Sequence, residues 1–415
     1  MSNAIRARSS STSPGSRRNG SGQDRVLLPL LVASAIACFA ASVALMLSGA
    51  AAPAAAAHLA FAAGVMPLIF GAVMHFVPVL TRSKPAAPLM RCLPFVMSAA
   101  GLLAVAAFVL PEFFRMGIRG GACLALAASL IMATWIARRA KAALGAPHPG
   151  LYWYLAAVLC LVLALVAALA TAVWADQRSA LRVFHLHLNT LGFVGLTAIG
   201  TLQVLLPTAA ARPDKQASAR LRSDLPLAVA GALLVAAGAA WIKPAAYAGM
   251  VLLLVPVVRL GTTWGVRFRR EVCAAHGAAP SLALALSGLA ALLLAGAGHA
   301  NGRLGGTAAI FGFVLAFLLP LVTGAVSQLL PLWLKPGAQT EWHREARATL
   351  CRYGGVRGLA FVAAGLSVVL GWREAAWLAA GALAVFIGQL LRVLAFCADK
   401  EKIGEDTDPA NGPAS

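Results

Sequence analysis

Three stretches decide how this chain reads: HLAFAAGVMPLIFGAVMHFVPVL (residues 58–80), HLNTLGFVGLTAIGTLQVLLP (187–207) and FGFVLAFLLPLVTGAVSQLLP (311–331). Laid over one another without gaps, Gly71, Gly200 and Gly324 coincide, and Pro78, Pro207 and Pro331 follow seven residues later. His58 and His187 each stand twenty residues before the proline, and Phe311 fills that place in the third copy. Each stretch is apolar for about the 20 residues that a helix needs to cross a bilayer. Glycine permits close helix approach, and proline near a helix end frees a backbone group where its loss is least harmful. G-x6-P could recur by chance in a chain rich in Ala and Gly, but two copies also share the histidine register. Self-similarity of this kind marks repeated structural units.

Outward from these stretches, apolar runs of spanning length fill the chain. They lie at 26–48, 54–80, 89–110, 117–137, 150–174, 180–209, 225–242, 245–263, 280–299, 304–334, 351–371 and 374–398. The repeated stretches are the second, sixth and tenth. The expected fold is all-α: a polytopic membrane protein with 12 transmembrane helices in three pseudo-equivalent four-helix units spanning 26–398. A basic tail, 1–25, and a polar tail, 399–415, are expected to be disordered and cytoplasmic. Arg17-Arg18 invites a twin-arginine reading, but the run that follows is too long for a signal h-region, so the first helix is read as retained.

Composition agrees. Of 415 residues 60% are hydrophobic, mean hydropathy is +0.81, and 12% are charged, about half the fraction usual in soluble domains. A disordered chain lacks the apolar content seen here. The net charge of +20 would suggest nucleic acid if the cations were clustered. Instead 27 of the 34 Lys and Arg fall in the tails and in every second connection, and only 7 in the others. By the positive-inside rule both termini face the cytoplasm. The charge orients the protein in a bacterial inner membrane, its lipid bilayer is the partner, and no nucleic acid is expected. The seven cysteines stand singly, with no C-x-x-C, and are read as small apolar fillers.

Ionisable residues inside spans are costly and are functional candidates by default. Of eight histidines, His148, His276 and His343 fall in expected cytoplasmic loops and His299 at the outer end of the ninth span. His58, His185, His187 and His75 lie inside spans. His58 and His187 should sit at similar height in the outer half of the bilayer, where two facing imidazoles suit a haem iron or part of a copper site. His185 and His187, two residues apart, diverge by roughly 200° around a helix and cannot both face one iron. His75 lies roughly 25 Å along the axis from His58, in a cytoplasmic-side environment, and is the weakest metal candidate. Acidic residues such as Glu112, Asp176, Glu341 and Glu374 fall outside the apolar cores.

This plan resembles the haem–copper oxidase catalytic subunit. The second span is similar to that family's second helix at His58, Met66, Pro67, Leu68, Ile69, Gly71, Pro78 and Leu80. HLHLNTLGF (185–193) resembles its H-x-H helix, which ligates two haems. The resemblance implies that His58 and His187 are axial ligands of a low-spin b-type haem and that His185 faces a second haem or copper. Size and haem-type histidines also resemble the NnrS family of bacterial membrane proteins, associated with haem, copper and nitric-oxide metabolism. The departures are specific: there is no His-His pair, no H-x3-Tyr arrangement and no buried proton-conducting acid, and the H-x-H lies in the sixth span rather than the tenth. Oxygen reduction with proton pumping is therefore not expected. The resemblance implies electron transfer, haem or metal handling, or a nitric-oxide response, with the redox partner or quinol unidentified. The alternatives are a secondary transporter, or a copper-site membrane protein without haem.

Overall fold

A chain surrounded by lipid must satisfy every backbone N–H and C=O within itself, so long apolar runs become helices. The computed structural model describes residues 21–406, with side chains described for 26–397, and no strand occurs among them. The helices are α1 (Ser21–Ser48), α2 (Pro53–Thr81), α3 (Pro88–Val109), α4 (Pro111–Lys141), α5 (Gly150–Ala170), α6 (Arg178–Ala209) and α7 (Ala217–Ala240). They continue with α8 (Lys243–Arg267), α9 (Ala278–Ala300), α10 (Gly306–Leu334), α11 (Glu341–Cys351), α12 (Gly354–Val369) and α13 (Ala376–Asp406).

Eleven of these, α1 to α10 and α13, are long and apolar enough to cross a membrane. The run expected at 351–371 departs from a simple span. It is divided at Tyr353, whose left-handed backbone (φ 57°) separates α11 from the 16-residue α12. At 1.5 Å per residue α12 covers about 24 Å, less than the hydrocarbon thickness. The tails are also shorter than expected, because 21–25 and 399–406 are helical; residues 1–20 and 407–415 of the expected tails lie outside the described residues.

The three repeated helices are the interior ones. Their most apolar windows are 78% (α2), 89% (α6) and 78% (α10) buried, whereas none of the other eight exceeds 56%. Each packs between the helix before it and one after it: α2 between α1 and α3, α6 between α5 and α7, α10 between α9 and α12. The outer helices follow one another around the bundle, α4 on α5 and α8 on α9, and α13 returns to α1.

The repeat seen in sequence has local structural counterparts. Each conserved-register glycine faces the preceding helix: a Cβ on Gly71 would strike Leu31 of α1, one on Gly200 would lie 2.7 Å from Trp153 Cβ of α5, and one on Gly324 3.1 Å from Ser281 Cβ of α9. Four residues after the proline, Arg82 and Ala211 both turn left-handed at φ 51°, and the next amide (Ser83, Arg212) donates to the proline carbonyl at 2.9 and 3.0 Å. The third copy ends differently, at Lys335 with φ −128°. Most telling, each interior helix widens into a π-helix at a similar register: Leu59–Val65, Leu188–Gly195 and Val314–Leu318. Single π-turns are common, often at functional sites, whereas stretches of this length are rare.

Contacts between distant segments join like ends of the bundle. Arg139 at the end of α4 donates to Ser83 Oγ (2.7 Å) in the α2–α3 connection, and Arg212 pairs with Glu271 (2.9 Å). Tyr353 N donates to His276 Nδ1 (3.0 Å). At the other end Tyr247 donates to Asn301 Oδ1 (3.0 Å), and Arg373, just before α13, donates to the Met46 carbonyl of α1 (3.0 Å). The basic clusters counted on one side thus gather at one end.

Candidate functional site

The interior helices carry the histidines at the end opposite the basic clusters. His58 is the last α-helical residue before the first π-segment of α2, and His187 the last before that of α6. In each, Nδ1 meets the carbonyl four residues earlier: Ala54 at 2.8 Å for His58, Val183 at 2.9 Å for His187. His185 reaches across to α5 instead, with Nδ1 2.8 Å from the Ala164 carbonyl. His299, near the end of α9, places Nδ1 2.9 Å from the Leu304 carbonyl. A carbonyl oxygen only accepts, so all four Nδ1 atoms carry the proton and donate it. The neutral ring then keeps its lone pair on Nε2, the tautomer that a metal-ligating histidine shows when its other nitrogen is tied to a carbonyl.

The cavities around these rings decide the pairing. One, of about 140 Å3, lies among α2, α3, α4, α5 and α6 and is lined by both His58 and His185. His185 is also within electrostatic range of His58. The other, of about 380 Å3, lies chiefly among α6, α7, α8, α9 and α10 and is lined by His187 and His299. The implied pairing of His58 with His187 is thus not what the fold brings together. With roughly 200° between them on α6, one histidine of the H-x-H must face α2 and the other α10, and it is His185 that faces α2. Corresponding helices, four apart, line the two cavities. Between α13 and α1 lies an apolar cavity of about 380 Å3 with no histidine on its lining.

The α2–α6 cavity has further features. Phe108 packs on the His58 ring, with centroids 4.8 Å apart. Phe61, Met66 and Met97 form apolar walls, while Ala100, Gly101 and Gly121 keep the α3–α4 side thin. Of the phenylalanines near the histidines, Phe61 lines this space, whereas Phe184 packs on Trp241 (5.3 Å) and Phe193 on Phe70 (6.2 Å). Asn189 also lines it. Its amide nitrogen donates to the His185 carbonyl (2.8 Å) and lies 3.3 Å from His185 Nε2, the ring nitrogen able to accept, while its buried Oδ1 has no partner. Asn189 was not singled out in the sequence, although its spacing of four from His185 places it on the same helix face.

Other expected roles change. His75 is exposed and packs edge-on against Trp333 of α10 (6.0 Å), away from both histidine cavities. His343 is not a solvated loop residue: it is 2% exposed and closes a helix cap, accepting from Thr340 N (3.0 Å) at Nδ1 and donating to the Lys335 carbonyl (2.7 Å) from Nε2. His148 accepts from Gly150 N (3.1 Å), and burial together with the Arg222 charge lowers its pKa. Glu112, Asp176, Glu341 and Glu374 are exposed, as expected. Asp224, at the edge of an expected span, is instead fully buried and paired with Arg259 at 2.6 Å. Arg357, counted with loop cations, is buried in α12, donates to Gln389 Oε1 (2.8 Å) and lies over Phe386 (4.6 Å). None of the seven cysteines forms a disulfide among the described residues.

Among the described residues no three His, Cys, Asp or Glu side chains converge as a protein-only metal site requires. The described residues offer instead two cavities that are each lined by two histidines. No protein-family model and no curated protein matches the chain.

Proposed function

We propose that this chain is a haem-binding protein of the bacterial inner membrane, with twelve spans in three four-helix units and both termini in the cytoplasm. One b-type haem lies between α2 and α6, held axially by His58 and His185. The observation that carries the reading is the shared cavity of these two rings, each with Nδ1 donated to a carbonyl and its lone pair on Nε2, that of His185 lying 3.3 Å from the Asn189 amide nitrogen. Such imidazoles suit iron. The wall fits in chemistry but not yet in size: about 140 Å3 is below the roughly 300–1,000 Å3 of small-molecule sites. On the α3–α4 side Gly101 packs directly on the Ala62 backbone and Gly121 on the Ala100 carbonyl, so a haem would need these helices farther apart than they stand here.

A bound haem supplies a one-electron redox centre whose potential depends on axial ligands and burial. The chain's own residues orient the imidazoles through Ala54 and Ala164, exclude water with Phe61, Phe108 and Met97, and present the Asn189 carbonyl oxygen as a buried acceptor. Electron transfer, haem or metal handling, or a nitric-oxide response all follow from such a centre.

The experiment is a reduced-minus-oxidised visible spectrum with metal analysis on the detergent-purified protein, expressed with ample haem. A low-spin haem signal is expected, lost in His58→Leu and His185→Leu and kept in His187→Leu. A colourless, iron-free preparation overturns the reading; copper alone supports a haem-free copper protein, and neither metal supports a transporter. Loss in His187→Leu with retention in His185→Leu restores the pairing implied by the resemblance.

A further inference from the structure

The larger cavity, between α6 and α10, has a chemistry of its own. It reaches from the chain ends at Lys243, His299 and Gly306 inward to Thr190 and Phe313, so it begins at the outer end of the bundle. Its volume of about 380 Å3 falls within the small-molecule range. Inside, every polar proton is committed. His187 and His299 donate Nδ1–H to the Val183 and Leu304 carbonyls, Thr190 donates to the Leu186 carbonyl (2.9 Å), and Tyr247 donates to Asn301 (3.0 Å). What faces the cavity is lone pairs on otherwise apolar walls, with one ammonium, Lys243, at the rim.

That inventory selects a ligand. A bare divalent cation would find two neutral imidazoles, no carboxylate or thiolate on the lining, and a positive charge beside it. An anion would meet one ammonium at the rim and only acceptors beyond it. A quinone, itself acceptor-only, would leave the imidazole lone pairs unpaired. A neutral, planar, apolar molecule with hydroxyl donors satisfies all of them. The geometry points to a hydroquinone site, in which the Nε2 atoms of His187 and His299 accept hydrogen bonds from the ligand hydroxyls while Phe313 and Leu293 pack against the ring. As a binding site it stands apart from the haem reading.

The test is isothermal titration of the full-length protein in detergent with decyl-1,4-benzohydroquinone, kept reduced, and with the corresponding benzoquinone. The hydroquinone is expected to bind roughly tenfold more tightly than the quinone, since one neutral hydrogen bond of about 1.4 kcal/mol corresponds to that ratio. His187→Leu and His299→Leu should each weaken hydroquinone binding roughly 3- to 10-fold. His299→Gln, which restores an acceptor, should return it to within about twofold of wild type. His58→Leu should leave it unchanged even if haem is lost, so failure of the haem reading and of this one are told apart. Equal affinity for the two redox forms, wild-type binding in both leucine variants, or haem or copper retained in His58→Leu but lost in His299→Leu would each overturn the proposal.

Discussion

His58, His185, His187 and His299 each give one ring nitrogen to a main-chain carbonyl, which fixes ring orientation and tautomer before any ligand arrives. At the same scale, the buried ion pair Asp224–Arg259 is asymmetric: the carboxylate is fully enclosed whereas the Arg259 side chain is 46% exposed. Losing the arginine strands a buried charge, but losing the carboxylate leaves a cation that can reach solvent. Arg259→Met should therefore destabilise by about 3 kcal/mol and Asp224→Asn by clearly less, read by thermal unfolding in detergent. Asp214, outside the spans, bonds Arg220 (2.6 Å) and Arg267 (3.2 Å). Burial raises its pKa, but the hydrogen bonds from Arg220 and the Gln216 amide and the charges of Arg220 and Arg267 outweigh that and hold it below the ordinary carboxylate value. Its contribution is full above the unfolded pKa of about 4 and is lost as pH falls through the lower folded value. Asp214→Asn should flatten the fall in melting temperature at acid pH; an unchanged acid limb would refute the assignment.

At the scale of elements, the π-segments are the main structural device. Against a 100° step per residue, one extra residue in a helix rotates everything before it relative to everything after it. That is how α2 presents His58 to the cavity while keeping Gly71 on α1. Deleting Ala62 should shorten the π-segment, swing His58 by about 100° and abolish the haem spectrum, with the size-exclusion profile unchanged. A retained spectrum would show that the π-segment does not aim the ligand. The α7–α8 hairpin is held by close approach at Gly238, where a Cβ would fall on the Ala246 backbone. Gly238→Leu should force the two helices apart and lower the melting temperature, an overpacking effect of about 1–3 kcal/mol.

For the whole molecule the open question is parity. Helix α12 is short, but its outer end leads to Arg373, which bonds the Met46 carbonyl at the end of α1 opposite the basic clusters. The proposed twelve-span plan has the chain cross in α12 and return in α13. Tags at the N- and C-termini should both be cytoplasmic, with a C-terminal green fluorescent protein fluorescent and a C-terminal alkaline phosphatase inactive. Active phosphatase would mean that 354–369 does not cross.

The helical class, eleven of the expected span positions, the threefold helix repeat and the grouping of basic ends were legible in the sequence. Backbone hydrogen bonding in lipid dictates the first two, and the Gly–Pro register and charge alternation carry the others. The histidines were legible as candidates, because few ionisable residues lie so deep. Which imidazoles meet was not. That depends on helix rotation, and a π-segment changes rotation without any residue pattern that a 3.6-residue period reveals. So His185 rather than His187 joins His58, His299 joins His187, and Asn189, Asp224 and Arg357 find their settings only when helices distant in sequence are packed together.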